Sequence, residues 1–189
     1  MTDTALDPQR AALMVVDVQE RLWPAMEEAA RARVARNILI LIEAARRLKL
    51  PVLWSEQYPK GLGATLPEIK EALSAPGLDA HHLEKLEFSC AAAPGFAQLS
   101  RTIGRSQWII CGIEAHVCVY QTARDLAADD GVVHVVADAV MSRTSDNRTV
   151  GLGLMAHAGA TITSTETVVF DLLHRAGGDD FKALSQLIR

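Results

Sequence analysis

A chain of 189 residues, 49% hydrophobic and 22% charged with a formal charge of −4, is long enough to bury a sizeable core and reads as one domain, residues 1–189. The lack of a basic cluster argues against nucleic acid, no apolar run nears the roughly 20 residues of a membrane span, and the opening Met-Thr-Asp-Thr-Ala-Leu-Asp-Pro lacks the basic and apolar regions of a signal peptide. Three cysteines without metal-ligand spacing fit reduced thiols, so a cytoplasmic protein with a small-molecule partner is expected.

Residues 1–10 read as a loose polar lead-in. Leu13 to Val16 are all apolar and predict a central strand, with Asp17 at its carboxyl end. Glu20–Glu28, containing Trp23-Pro24, reads as a loop over that edge. Val34, Ile38, Leu41, Ile42, Ala45 and Leu48 repeat at helical spacing and predict the first crossover helix, stopped by Pro51. Val52–Ser55 is the second strand. The segment from Glu56 to Ala80 is rich in Gly and Pro, with one short helix signalled by Thr65 and Glu68 as a capping box. A segment this long is more often functional than idle, and is expected over the carboxyl edge of the sheet. Leu83–Lys85 is a third strand that delivers Lys85 to the same edge.

A helix over Pro94–Arg101 leads to a two-sided apolar strand, Trp108–Cys111, ended by Gly112. From Ala115 the apolar positions Val117, Tyr120, Ala123, Leu126 and Ala127 take helical spacing, with Gly131 placed for a left-handed cap. Cys118 falls in the first turn of that helix, where backbone N–H groups and the helix dipole favour thiolate. Val132–Val136 is a fifth strand, ended by Asp138. Ser145 caps a helix to about His157, closed by Gly159, and Thr161–Thr163 is the sixth strand. Thr163 and Glu166 fit a capping box for the next helix, and a last helix follows Gly177-Gly178. The alternation predicts a three-layer α/β/α sandwich around a mostly parallel six-stranded sheet. Ligands bind at the carboxyl ends of such strands, which is where Asp17, Lys85 and the Cys118 turn converge. Alone, Asp17 has a plainer account as a helix cap or loop carboxylate, and Cys118 as a buried thiol.

Together the three stretches resemble the isochorismatase-like, or cysteine hydrolase, family. Gly112-Ile-Glu-Ala-His-Val-Cys-Val119 is similar to its nucleophile turn, with glycine six positions before the cysteine. Leu13-Met-Val-Val-Asp-Val-Gln19 resembles its first-strand aspartate run, and Lys85-Leu-Glu-Phe-Ser89 its lysine ahead of an aromatic–serine pair. Ser55–Gly63 and Ala137–Arg143 resemble the isochorismatase-domain-containing branch. The resemblance implies a Rossmann-like strand order, Asp17 as base, Lys85 as its electrostatic partner and Cys118 as nucleophile. It also implies backbone N–H groups of Glu114 and Cys118 as oxyanion hole, and a cis Ile113–Glu114 peptide. Gln19, Trp23, Gln57, Tyr58 and Phe88 are expected to line the substrate site, and a homo-oligomer, dimer or tetramer, is expected.

The nicotinamidase branch carries an aspartate and a histidine two apart after the second strand, where this chain reads Ser55-Glu-Gln-Tyr58, so no metal and no cofactor is expected. The implied activity is hydrolysis of a small-molecule amide or related C–N bond through a Cys118 thioester. Vinyl-ether hydrolysis and a non-catalytic interaction role are the alternatives. A redox role for Cys118 needs a resolving thiol, and Cys111 lies deep in its strand. His116, two positions from Cys118, points to a different helix face and reads as a pocket-rim or subunit contact. His81 and His82, without a partner at ligand spacing, read as surface residues, and Cys90 as accessible but without an activating partner.

Overall fold

The computed structural model describes residues 4–189. Strands β1 (Ala11–Val16), β2 (Val52–Gln57), β3 (Ala80–Lys85), β4 (Gln107–Ile113), β5 (Val132–Met141) and β6 (Thr161–Thr163) form one sheet, ordered β3-β2-β1-β4-β5-β6. Every neighbouring pair is parallel. The order reverses between β1 and β4, the switch point at which doubly wound sheets open a crevice beyond the strand ends.

β1 is buried along its whole length because helices cover both faces of the sheet. Side-chain alternation divides it between two cores. Ala11, Leu13 and Val15 pack in the layer of α1 (Glu28–Leu48) and α7 (Thr165–Leu173), while Ala12, Met14 and Val16 pack in the layer of α4 (Phe96–Ile103), α5 (Tyr120–Ala128) and α6 (Ser145–His157). The apolar stripe Val34, Ile38, Leu41, Ile42 and Ala45 seats α1, and Lys49 ends it in the left-handed conformation. Through Leu184, α8 (Gly178–Ile188) closes a small satellite core against Ile40, Ala44 and Val169.

Several local expectations are corrected by tertiary partners. The lead-in, whose residues 1–3 lie outside the described residues, is tied down. Leu6 is buried and its N–H reaches Asp171 Oδ2 at 2.8 Å, while Gln107 accepts from the Asp7 N–H and donates to Ala5 O. Thr65 caps no helix. It turns inward to the buried Glu56 carboxylate, and α3 (Pro67–Leu73) starts after Leu66, with a further short helix, α2 (Pro59–Leu62), before it. Thr144 and Ser164, each one residue from the expected caps, accept the first-turn N–H bonds of α6 and α7. β4 runs through Gly112, and a bulge opposite lets β5 continue to Met141. Asp130, not Gly131, takes the left-handed conformation after α5.

Candidate active site

The site is built where β1 and β4 approach most closely. Gly112 has φ +116°, and a Cβ there would lie 2.1 Å from Val16 O, so no larger residue lets β4 pass the end of β1. Beyond β4 the Ile113–Glu114 peptide is cis, and one π turn, Ala115–Val119, feeds into α5. Cys118 sits in that π turn, not in a regular first α turn, and is 7% exposed. From α6, Gly151 backs the turn so closely that a Cβ would lie 2.7 Å from the Ala115 carbonyl. His116 faces away, with Nδ1 3.0 Å from Ser142 Oγ.

Asp17 follows β1 with φ 51°, a left-handed conformation that aspartate tolerates, and its side chain is fully buried. Its two carboxylate oxygens have different donors: Ser55 Oγ reaches Oδ1 at 2.7 Å, and Lys85 Nζ reaches Oδ2 at 2.7 Å. Lys85 also faces Gln57 Oε1 at 2.8 Å, Phe88 O at 3.1 Å and Glu87 O at 3.2 Å. An ammonium has three protons, so Lys85 is saturated. Burial opposes its charge, but the charge of Asp17 and its hydrogen bond prevail and hold the Lys85 pKa above the ordinary lysine value.

The Cys118 thiol behaves differently from the sequence expectation. Burial, then the charge of Asp17, push its pKa well up; Lys85 pulls the other way and does not prevail. The resting sulfur is therefore a neutral thiol beside the Asp17 carboxylate, whatever the turn contributes. Cys90 and Cys111 are fully buried free thiols, and burial lifts Cys90 to about 11.

The residues expected around a substrate divide. Gln19 is fully buried, its amide donating to Gln57 O and Gly63 O and accepting from the Gln57 N–H, so it folds the 57–65 loop and presents no surface to a ligand. Gln57, half-buried, accepts from Lys85 and donates one amide proton to Leu86 O, with its second amide proton uncommitted. Trp23 leans on the core beside α1. Tyr58 and Phe88 stay half exposed, and Tyr58 lines a cleft of about 400 Å³ with Lys60, Leu86, Glu87 and Pro94 next to Lys85. Ser55 was not singled out by sequence reasoning, and Cys90, expected to be accessible, is fully buried against it. Their contacts depend on the β1–β2 register and the 86–95 loop, which leave no local pattern.

His82 has the partners its sequence did not suggest. It stacks on Trp54 with centroids 3.8 Å apart and holds Nε2 3.3 Å from the buried Glu56 carboxylate; burial lowers its pKa, with Glu56 opposing. His81 Nε2 lies 3.0 Å from Asp79 Oδ1 without hydrogen-bond geometry. Among the described residues, Glu56, His82 and Glu84 are the group whose ligand atoms, within 4.8 Å of one another, are spaced to hold a metal. Strand alternation puts them on the face opposite Ser55, Gln57 and Lys85.

Fold and site together define a doubly wound α/β protein with an aspartate, a lysine and a cysteine at one sheet edge. The isochorismatase domain model matches residues 11–167, and the chain belongs to the isochorismatase family. It is 38% identical over 186 residues, 97% of this chain and 87% of the other, to the secreted isochorismatase effector Isc1 of Phytophthora sojae. It is 36% identical over 183 residues, 97% and 89% of the two chains, to isochorismatase domain-containing protein 2 of Danio rerio. Among solved structures, the MAR1 ribonuclease from Caenorhabditis elegans superposes with TM-score 0.86 at 36% identity, covering 97% and 91% of the chains. YcaC from Pseudomonas aeruginosa, solved with hexane-2,5-diol and covalent acrylamide, gives 0.87 at 25%, covering 100% and 97%. The Escherichia coli YcaC, described as an octameric hydrolase of unknown specificity, gives 0.88 at 25%, covering 97% and 89%. No helix among the described residues is long and apolar enough to cross a membrane.

Proposed function

We propose that this chain is a cysteine-dependent hydrolase that cleaves an amide or related C–N bond of a small molecule through a thioester on Cys118. The observation that carries the reading is the ion pair of Lys85 and Asp17, 2.7 Å apart with neither side chain exposed, set against a buried thiol. Buried pairs are poor sources of stability, and charges kept out of water beside a nucleophile have a better account in chemistry.

In the proposed reaction Asp17 takes the Cys118 proton as the sulfur electron pair adds to the substrate carbonyl carbon. The carbonyl π electrons move onto oxygen, where the N–H groups of Glu114 and Cys118 are assigned to receive the charge. Collapse of this adduct breaks the C–N bond, and Asp17 returns the proton to the leaving nitrogen. Water attacks the thioester and gives a proton to Asp17; the C–S bond then breaks, the carboxylic acid leaves and the proton returns to sulfur. Lys85 stays charged throughout and holds the carboxylate. The scheme assigns no metal a role.

The covalent acrylamide on the P. aeruginosa YcaC supports a reactive nucleophile in this fold, and the octameric E. coli relative supports a homo-oligomer. A cytoplasmic setting, the third part of the proposal, rests on the three free cysteines. A ribonuclease activity like that named for the C. elegans relative finds no support in a chain of charge −4. Vinyl-ether hydrolysis, an acid chemistry, leaves the thiol unused, and a pure interaction role leaves both the thiol and the ion pair unused. Screening small amides and ureas for release of ammonia or amine decides the matter. Release that Cys118→Ala abolishes is the expected result, and release that Cys118→Ala retains overturns the assignment.

A further inference from the structure

We propose that Ser55 is a positioning residue of this site, its hydroxyl fixing the Asp17 carboxylate in the orientation that faces Cys118. The inference rests on the reading of Asp17 as base. Lys85 alone would leave Asp17 free to rotate about its side-chain bonds; with Ser55 on Oδ1 and Lys85 on Oδ2, both oxygens are tied from different strands. Ser55 also holds the Asp17 backbone, its carbonyl accepting the Asp17 N–H at 3.2 Å.

A serine hydroxyl has one proton and two lone pairs, and its partners decide where the proton points. Cys90 Sγ lies 3.4 Å from Ser55 Oγ, and the Cys90 thiol, raised to about 11 by burial, is a donor at any ordinary pH. It fills an acceptor position on Ser55 and leaves the hydroxyl proton for Asp17. Cys90 is in turn anchored by its N–H to Thr122 Oγ1 at 2.9 Å, on α5, the helix that continues from the Cys118 turn. All three are buried. The run Thr122–Cys90–Ser55–Asp17 thus links the helix behind the nucleophile to the base that serves it.

A donor to a carboxylate favours its charged form. Without the Ser55 hydroxyl, the Asp17 carboxylate loses one of its two donors and its aim. The test is the rate of Cys118 alkylation by iodoacetamide, read by peptide mapping from pH 5 to 9, which needs no substrate. Ser55→Ala should slow it about 10-fold or more, as for loss of a hydrogen bond to a charged group, and move the acid limb to higher pH. Ser55→Thr, which restores the hydroxyl, should recover most of the rate and the wild-type limb. Cys90→Ala should lose less and keep the limb.

An acid limb and rate in Ser55→Ala that superpose on wild type overturn the inference, as does a Ser55→Thr variant no faster than Ser55→Ala. If Ser55→Ala is insoluble, Ser55→Cys in a Cys90→Ala background keeps the size with a poorer donor, and an unmoved limb there is equally contrary. Asp17→Asn separates the two layers. If it alkylates at the wild-type rate, the base assignment falls and this inference with it; if it is slow while Ser55→Ala is unaffected, only the role of Ser55 falls.

Discussion

Lys85 Nζ and Asp17 Oδ2 stand 2.7 Å apart with no solvent on either side chain. Removing one partner leaves the other as an uncompensated buried charge, so Lys85→Met should cost about 3–5 kcal/mol in urea unfolding, and Asp17→Asn a similar amount. Combining them should cost clearly less than the sum, since the double variant buries no charge. Additive losses would mean that the pair is not coupled in solution.

The raised pKa of Lys85 has a definite sign for stability. Lys85 is protonated in both the folded and unfolded states below about pH 10, so its contribution is fully present there and is lost only as pH rises through the folded value. Unfolding midpoints should therefore show no decline from this pair between pH 7 and 9, and a decline above pH 10 that Lys85→Met lacks.

The opposite sign applies to His134. Its pKa is lowered by burial, with Asp171 opposing, and its Nε2 has no hydrogen-bond partner. Below about pH 6.5 the unfolded chain binds a proton that the folded chain resists, so stability falls as pH drops. His134→Leu, which strands no partner, should shallow the fall in unfolding midpoint between pH 7 and 5. An identical fall in the variant would exclude His134 as a source.

Glycines test the close approaches. Gly112→Ala would drive a Cβ to 2.1 Å from Val16 O at φ +116°, and Gly151→Ala one to 2.7 Å from Ala115. Both should lower soluble yield and thermal midpoint sharply. Gly153, exposed in the same α6 with nothing within 4 Å of its added Cβ, should gain about 0.5–1 kcal/mol as alanine. A Gly112→Ala protein as stable as wild type would contradict the packing of β4 on β1.

What could be read in advance follows from how local each signal is. Apolar runs such as Leu13–Val16 and Trp108–Cys111 carry their burial in their own residues, so the strands and the layered fold were legible. So was the gathering of Asp17, Lys85 and Cys118, because parallel strands deliver their carboxyl ends to one edge. Thr65 and Gln19 were misread because each satisfies a distant group, a buried carboxylate and a folded-over loop, that no spacing reveals. The Cys118 thiol was misjudged for a related reason. The turn favours thiolate, but desolvation, which only the packed structure sets, is the larger effect.

Peptide-mapped labelling by iodoacetamide at neutral pH, comparing wild type with Asp17→Asn, tests the central claim most directly. Cys118 should carry essentially all the label in native wild type, because Asp17 can receive its proton, while Cys90 and Cys111, buried without such a route to the reagent, should react only after denaturation. Asp17→Asn should lower Cys118 labelling by roughly the 10²–10⁴-fold associated with loss of a general base. Native labelling that falls first on Cys90, or Cys118 labelling at the wild-type rate in Asp17→Asn, would contradict the account.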